Sequence, residues 1–345
     1  MALTIDEVRR IAILARLRLT SDEESIFAAQ LGRIVEYIDQ LSAFEALEPG
    51  NGQVATEAAA DVPGECLPWP AIQRNAPATL ETFFVVPQVK GDARFRMTKI
   101  TEIGYQGITI NVGKSDLAQK NPLGRDPRVR EAFELALDRD GIVQVAQDGE
   151  GDVGNQWVAP TNTFYAKNVP IPARNVARAK QLLQEAGVAN PSFTLMTPTT
   201  ADAQRIAQVV QAMAREAGFD VKIQSTEFAT SLDLADKGQF DAYVLAWSGR
   251  ADPDGNIYSF DACKQPLNYA GYCKPEVDDL LNRSRTTRDV GERRKLFGDL
   301  AAIVLKDRPI VYLYHRHWLW AYTNKLDGLR EIPDGLVRLT GVRFR

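Results

Sequence analysis

The sequence predicts a mixed fold, an N-terminal α-helical hairpin with an extended ribbon followed by an α/β lobe. Three observations carry that reading. Two helix-start patterns precede heptad-like apolar spacing near the N-terminus. A proline-studded stretch without periodicity then runs to Lys90, and from Tyr105 strand and helix patterns alternate.

Thr4 and Glu7 stand in a capping-box relation ahead of Val8, Ile11, Leu14 and Leu17, whose spacing of three places them on one helix face. Ser21 and Glu24 repeat the pattern before Phe27, Leu31, Ile34, Ile38 and Leu41, a four-and-three seam. The break at Leu19-Thr20 predicts a hairpin. Two helices cannot bury both apolar stripes on each other, so the hairpin calls for a partner surface. After Glu48-Pro49-Gly50-Asn51-Gly52 the periodicity is lost. Pro63, Pro68, Pro70, Pro77 and Pro87 interrupt the text, while Trp69, Phe83 and Phe84 supply aromatic anchors. This reads as a ribbon laid over another surface. The alternative is a disordered linker, against which the apolar FFVVP cluster argues.

The ordered segments IDEVRRIAILARLRL, EES-x-FAAQLGRIVEYIDQL, the NAP at Asn75 to Pro77 and FFVVPQV at Phe83 to Val89 resemble the C subunit of the aspartyl/glutamyl-tRNA amidotransferase. That resemblance implies a non-catalytic assembly subunit whose belt holds the A and B subunits together. Those partners convert Glu-tRNA(Gln) or Asp-tRNA(Asn) to the amide form, so ATP and glutamine would be used by them and no cofactor is expected in this chain. It also implies partner-contacting roles for Leu14, Arg16 and Leu17 of the LARL motif, and for Leu31, Ile34, Phe83 and Phe84. Any contact with tRNA would be indirect, because the net charge of −4 supplies no basic footprint. The family's L-R-x-D-x-V stretch survives only as Asp61-Val62, within TEAAADVPGE.

The segment GDARFRMTKITE matches neither neighbour and is read as a join at 91–102, between a unit at 1–90 and a lobe at 103–345. YQGITINV reads as a strand from its β-branched content. Asp126 caps a helix with Pro127 in its first turn, and Val129, Phe133 and Leu135 to Leu137 form its buried face. Asn175 starts the next helix, which Gly187 stops. FTLMTP, the helix ADAQRIAQVVQAMAREAG ended by Gly218, and FDVKIQST form a β-α-β unit, which implies parallel strands. A helix from about Leu232 to Lys237 leads to the strand FDAYVLAWS. The helices PEVDDLLNRSR and GERRKLFGDLAAIVLKD and the strand PIVYLYHRHWLWAY close the lobe.

The texts YQGITINVGK, RDPRVREAFELALDRDGIV, ARAKQLLQEAG, FDAYVLAWSGRADPDGNIYSF, NYAGYCKPEVDDLL and PIVYLYHRHWLWAYTNKLDG, in that order, resemble the family 5 solute-binding proteins of dipeptide and oligopeptide ABC importers. The resemblance implies an α/β lobe of the periplasmic-binding-protein type II kind, the later of two lobes that close on a small peptide or related solute. An amidotransferase-like piece stands where the first lobe is expected. A clamp with one jaw should bind solute weakly at best, because such pockets lie between domains.

Trp247, Arg250 and Asp252 are the candidate ligand-binding residues, at the end of a predicted strand where α/β sheets place ligand loops. The resemblance implies an acidic residue early in this loop that receives an α-amino group, and Arg250 stands at that position. A guanidinium only donates, so it suits a carboxylate or phosphate and not an ammonium. The alternative is an Arg250 that is solvated or bonded to Asp252. Asp252-Pro253-Asp254-Gly255 reads as turn chemistry, since no downstream Glu completes a calcium loop.

Cys263 and Cys273 have no metal-ligand spacing. The solute-binding resemblance implies a disulfide between them, whereas a cytoplasmic start favours free thiols. His315 and His317 are read as strand-surface residues, and Gly149, Gly151 and Gly154 as a loop, without the Lys-Ser/Thr of a phosphate cradle. No catalytic motif and no metal set is found. No apolar run suits a membrane span, and MALTIDEVRR does not read as a secretory signal. The expected location is therefore cytoplasmic, or periplasmic if the solute-binding reading holds. The expected function is a non-catalytic amidotransferase assembly subunit fused to a partial solute-binding lobe, with an importer's peptide-binding component as the alternative.

Overall fold

The structure, a computed structural model, describes residues 4–14, 19–42, 79–80, 83–84 and 91–345. It separates into one unit at 1–86 and another at 87–345.

In the first unit, α1 is Ile5–Leu14 and α2 is Ser21–Ser42. The first capping box forms as the sequence indicates. The Thr4 N–H and hydroxyl both donate to Glu7 Oε2 at 2.8 Å, and the Glu7 N–H returns to Thr4 Oγ1 at 3.3 Å. The second box is one residue earlier than expected. Thr20 and Glu23 form it, with the Thr20 N–H 2.8 Å from Glu23 Oε2. The helix already includes Ser21, so the cap must sit before it. Glu24 is thereby free to accept both arms of the Arg9 guanidinium, each at 2.8 Å. Val8 and Ala12 are buried. Short strands β1 (Thr79–Leu80) and β2 (Phe83–Phe84) pair antiparallel.

The second unit is built on a seven-stranded sheet. Its strands are β3 (Phe95–Thr101), β4 (Tyr105–Ile110), β5 (Gly151–Val153), β6 (Ser192–Pro198), β7 (Asp220–Thr226), β8 (Ala242–Trp247) and β9 (Ile310–Thr323). The order is β3-β9-β4-β8-β6-β7, with β5 paired to β9. As the β-α-β pattern requires, β6 pairs in parallel with both β7 and β8. In contrast, β4 runs antiparallel to β8 and β9. The helices before the loop of interest are α3 (Leu117–Lys120), α4 (Pro122–Arg125), α5 (Pro127–Ala136), α6 (Arg139–Gln147), α7 (Val176–Glu185), α8 (Ala201–Glu216) and α9 (Phe228–Asp236). After it come α10 (Asp254–Asp261), α11 (Pro275–Thr286) and α12 (Val290–Asp307), and the strands β10 (Leu326–Asp327) and β11 (Arg343–Phe344) end the chain.

Alternation along the strands divides the core between the two faces of the sheet. Val311 and Leu313 of β9 join Ile108, Phe133, Leu195, Ile206 and Val210 in one cluster. Ile310 and Tyr312 join Trp157, Ile257, Leu281 and Phe297 in another. Asp126 and Asn175 cap α5 and α7 as expected, accepting from the Arg128 and Arg178 N–H groups.

Several expectations are corrected. The supposed join carries β3, paired with β9 from Phe95↔Thr323 to Thr101↔His317. Its half-exposed, charged text hides the alternation, because an edge strand takes its pairing from a partner far along the chain. Gly151 to Val153 form β5 instead of a loop. Helix α9 begins at Phe228, four residues ahead of expectation, because the Glu227 carboxylate caps the Thr230 N–H at 2.9 Å. Leu135 is only half-buried.

His315 is fully buried, not a surface residue, and its Nδ1–H donates to Gly104 O at 2.5 Å. Burial lowers its pKa to about 4, so it is neutral. His317 lies between the carboxylates of Glu150 and Asp152, 3.1 Å from each, where the β5–β9 pairing brings them.

Candidate functional site

The candidate site is the loop that leaves the carboxyl end of β8 and enters α10. Two glycines let it close against the neighbouring backbone. Gly249 has φ +80°, and a Cβ there would run into the backbone of Ile103 and Gly104. A Cβ on Gly104 would in turn meet the Trp247 carbonyl. Neither position accepts a side chain.

Asn256 holds the loop in place from inside. It is fully buried. Its Oδ1 accepts from Trp247 Nε1–H at 3.0 Å and from the Arg250 N–H at 2.6 Å. Its Nδ2 donates to the carbonyls of Ile103 at 3.2 Å and Arg250 at 3.0 Å. All four amide valences are used, so this one side chain fixes Trp247 and the backbone on both sides of Arg250. Sequence reasoning missed it. Asn256 follows Gly255 in a text that reads as turn chemistry, and only its burial separates a clamp from a turn residue.

Trp247 also packs edge-on against Phe260, with ring centres 5.0 Å apart. The exposed guanidinium of Arg250 lies 4.6 Å from the Trp247 ring centre, and its Nη1 donates to Gly249 O at 2.6 Å. Arg250 is not bonded to Asp252. That carboxylate takes both arms of Arg293 at 2.7 Å each and accepts the Asp254 N–H at 2.9 Å. The Arg293 guanidinium beside it holds the Asp252 carboxyl below the usual range. Arg293 also lies over Phe164 and Phe297, so Asp252 ties the loop to α12. Asp252 is thus a brace, while Trp247 and Arg250 present the loop's aromatic and cationic surface.

Beyond α10, Cys263 and Cys273 are joined by a disulfide. This corrects the free-thiol reading. The bracketed loop is drawn in by Asn268, which donates to the carbonyls of Ala262 at 2.9 Å and Tyr272 at 2.7 Å and accepts the Tyr272 N–H at 3.1 Å. That turn brings the two cysteines together, as the spacing alone did not show.

Most of the N-terminal candidates lie outside what the structure describes. Leu31 is half-buried in α2. Leu14 ends α1, Ile34 lies in α2, and Phe83 and Phe84 form β2, but their side chains are outside the described set. Arg16 and Leu17 fall outside the described residues altogether. Among the described residues no group of three His, Cys, Asp or Glu stands together as a metal set, and no helix is long and apolar enough to cross a membrane.

The sequence model of the bacterial extracellular solute-binding proteins, family 5 Middle, matches residues 73–268. That of the Glu-tRNA(Gln) amidotransferase C subunit matches residues 19–86. The chain is 30% identical over 273 residues to the oligopeptide-binding protein AppA of Bacillus subtilis, covering 73% of this chain and 49% of that protein. It is 25% identical to the dipeptide-binding protein of Escherichia coli, covering 67% and 44%. Among solved structures, AppA of Bacillus subtilis in complex with a nonapeptide superposes with a TM-score of 0.61 at 28% identity, over 71% of this chain and 51% of that one. HbpA2 from Haemophilus parasuis has the same fold, with a TM-score of 0.67 at 22% identity, over 74% and 51%. The chain spans about half the length of the curated relatives it matches.

Proposed function

The chain belongs to the bacterial extracellular solute-binding proteins of family 5, and on that premise we propose that residues 91–345 act as one lobe of a clamp for peptides or related small solutes. The observation that carries this is the loop from Trp247 to Asn256. It stands at the carboxyl end of β8, is fixed by a fully satisfied buried amide, and presents an aromatic ring and a cation that has no ion-pair partner among the described residues. The similarity to proteins named for oligopeptide and dipeptide binding supports the solute class. One lobe covers a ligand from one side only, so the contact area is reduced while the cost of immobilising the ligand remains. Ligand-observed NMR of the full chain against di- and tripeptides should therefore show saturable binding on the order of millimolar. Absence of saturation at every peptide would sink the reading. Micromolar affinity would show that a single lobe suffices.

The Cys263–Cys273 bond and the family's extracellular description favour an oxidising compartment for this lobe over the cytoplasm.

A second reading is supported by the amidotransferase C-subunit match at residues 19–86. In it, α1 and α2 form a hairpin that contacts the amidotransferase A and B subunits through Leu14, Arg16, Leu17, Leu31 and Ile34, and the ribbon after it adds Phe83 and Phe84. Those subunits use ATP and glutamine, and this segment meets tRNA only through them.

A further inference from the structure

We propose that the solute lobe recognises its ligand through an anionic group, a carboxylate or phosphate held by Arg250, and not through an ammonium. The inference rests on the solute-binding reading above. Arg250 is seated, not merely exposed. A Cβ placed on Gly255 would come within 2.7 Å of Arg250 Cβ and 2.8 Å of Cγ, so the stem of the arginine lies against the first turn of α10 where only glycine leaves room. The head rests on Trp247 at 4.6 Å and is tethered by Nη1 to Gly249 O at 2.6 Å. Trp247 is itself pinned by Asn256 and Phe260. The side chain is thus pre-set, which lowers the entropy lost when it forms further hydrogen bonds.

The carboxylates of the same loop are committed elsewhere. Asp252 takes both arms of Arg293 at 2.7 Å, and Asp254 lies 3.4 Å from Arg285. Among the described residues no carboxylate forms an ion pair with Arg250, and its Nε and Nη2 meet no acceptor. What remains is a planar donor fork on an aromatic platform, the geometry that takes a carboxylate or phosphate in a bidentate grip. An ammonium at the same place would set two positive groups together, and Asn256 Oδ1, the loop's buried amide acceptor, already takes two hydrogen bonds.

The test uses the full chain and three probes, N-acetyl-Ala-Ala (anionic), Ala-Ala amide (cationic) and inorganic phosphate, with affinities read by ligand-observed NMR. The acetylated peptide should bind roughly tenfold tighter than the amide, as expected for charge-assisted hydrogen bonds. R250Q should abolish that preference and R250K should restore it only in part. G255A, which displaces the arginine without removing its charge, should weaken the acetylated peptide alone. Thermal melts verify that each variant is folded. Competition by phosphate assigns the anion to the phosphate class, and its failure to compete assigns carboxylate. Equal binding of amide and acetylated peptide, or indifference to R250Q, overturns the inference and leaves the solute reading standing. Silence from both peptides and phosphate, together with the unmodified di- and tripeptides, removes both.

Discussion

Asp261 closes α10 with its carboxyl fully buried beside Tyr105 and Tyr312, and among the described residues only the Tyr312 hydroxyl offsets that burial. Burial pushes its pKa up to about 7, since the anion has lost water and gained no cation. A carboxyl whose folded pKa is raised contributes stability fully below its unfolded value near 4 and loses it as the pH rises through about 7. Replacing Asp261 by Asn should therefore be close to neutral at pH 4 and stabilising at pH 8, by on the order of 3 kcal/mol. Urea titrations at the two pH values measure this, and an equal effect at both would refute it. Asn256 is the opposite case, a buried polar group with every valence used. Asn256→Ala strands Trp247 Nε1, two carbonyls and an N–H, and should cost about 2–4 kcal/mol in urea unfolding. A loss near 0.5 kcal/mol or less would show that the loop holds itself.

Among elements, the β-α-β unit β6-α8-β7 was legible because its signals are local. Apolar strands, a periodic helix and a terminating Gly218 at φ +100° all lie within one short stretch. The edge strand β3 was not legible, because it earns its conformation from β9, more than two hundred residues later. The disulfide element is intermediate. The cysteines are visible in the text, but their approach depends on the Asn268 turn. Replacing both Cys263 and Cys273 by Ala should lower stability by about 2–3 kcal/mol, as expected for opening a short closed loop. Asn268 should keep the turn, so the loss should appear in urea melts without a change in far-UV circular dichroism. A loss of helical signal would mean that the bond organises α10 and α11 as well.

At the scale of the whole molecule, the chain joins a region matching the family 5 solute-binding proteins to a segment matching an amidotransferase C subunit. If the N-terminal segment is an assembly element, the full chain should co-elute with co-expressed amidotransferase A and B subunits on size exclusion. Leu14→Asp should weaken that association by roughly tenfold or more, by placing an unpaired charge in an apolar contact. Separate elution of the unsubstituted chain would count against the assembly role.

The sequence by itself determined the caps at Asp126 and Asn175, the parallel β-α-β core and the place of the candidate loop after the strand that is β8. Each of these follows from neighbours a few residues apart, through periodicity, capping and turn chemistry. Only the tertiary structure decided that Asp252 braces Arg293 instead of neutralising Arg250, that Asn256 clamps the loop, and that His315 is core. It also decided that the two cysteines bond and that residues 95–101 form a strand. Those outcomes depend on burial and on partners distant in the chain, and such contacts exist only once the sheet has brought them together.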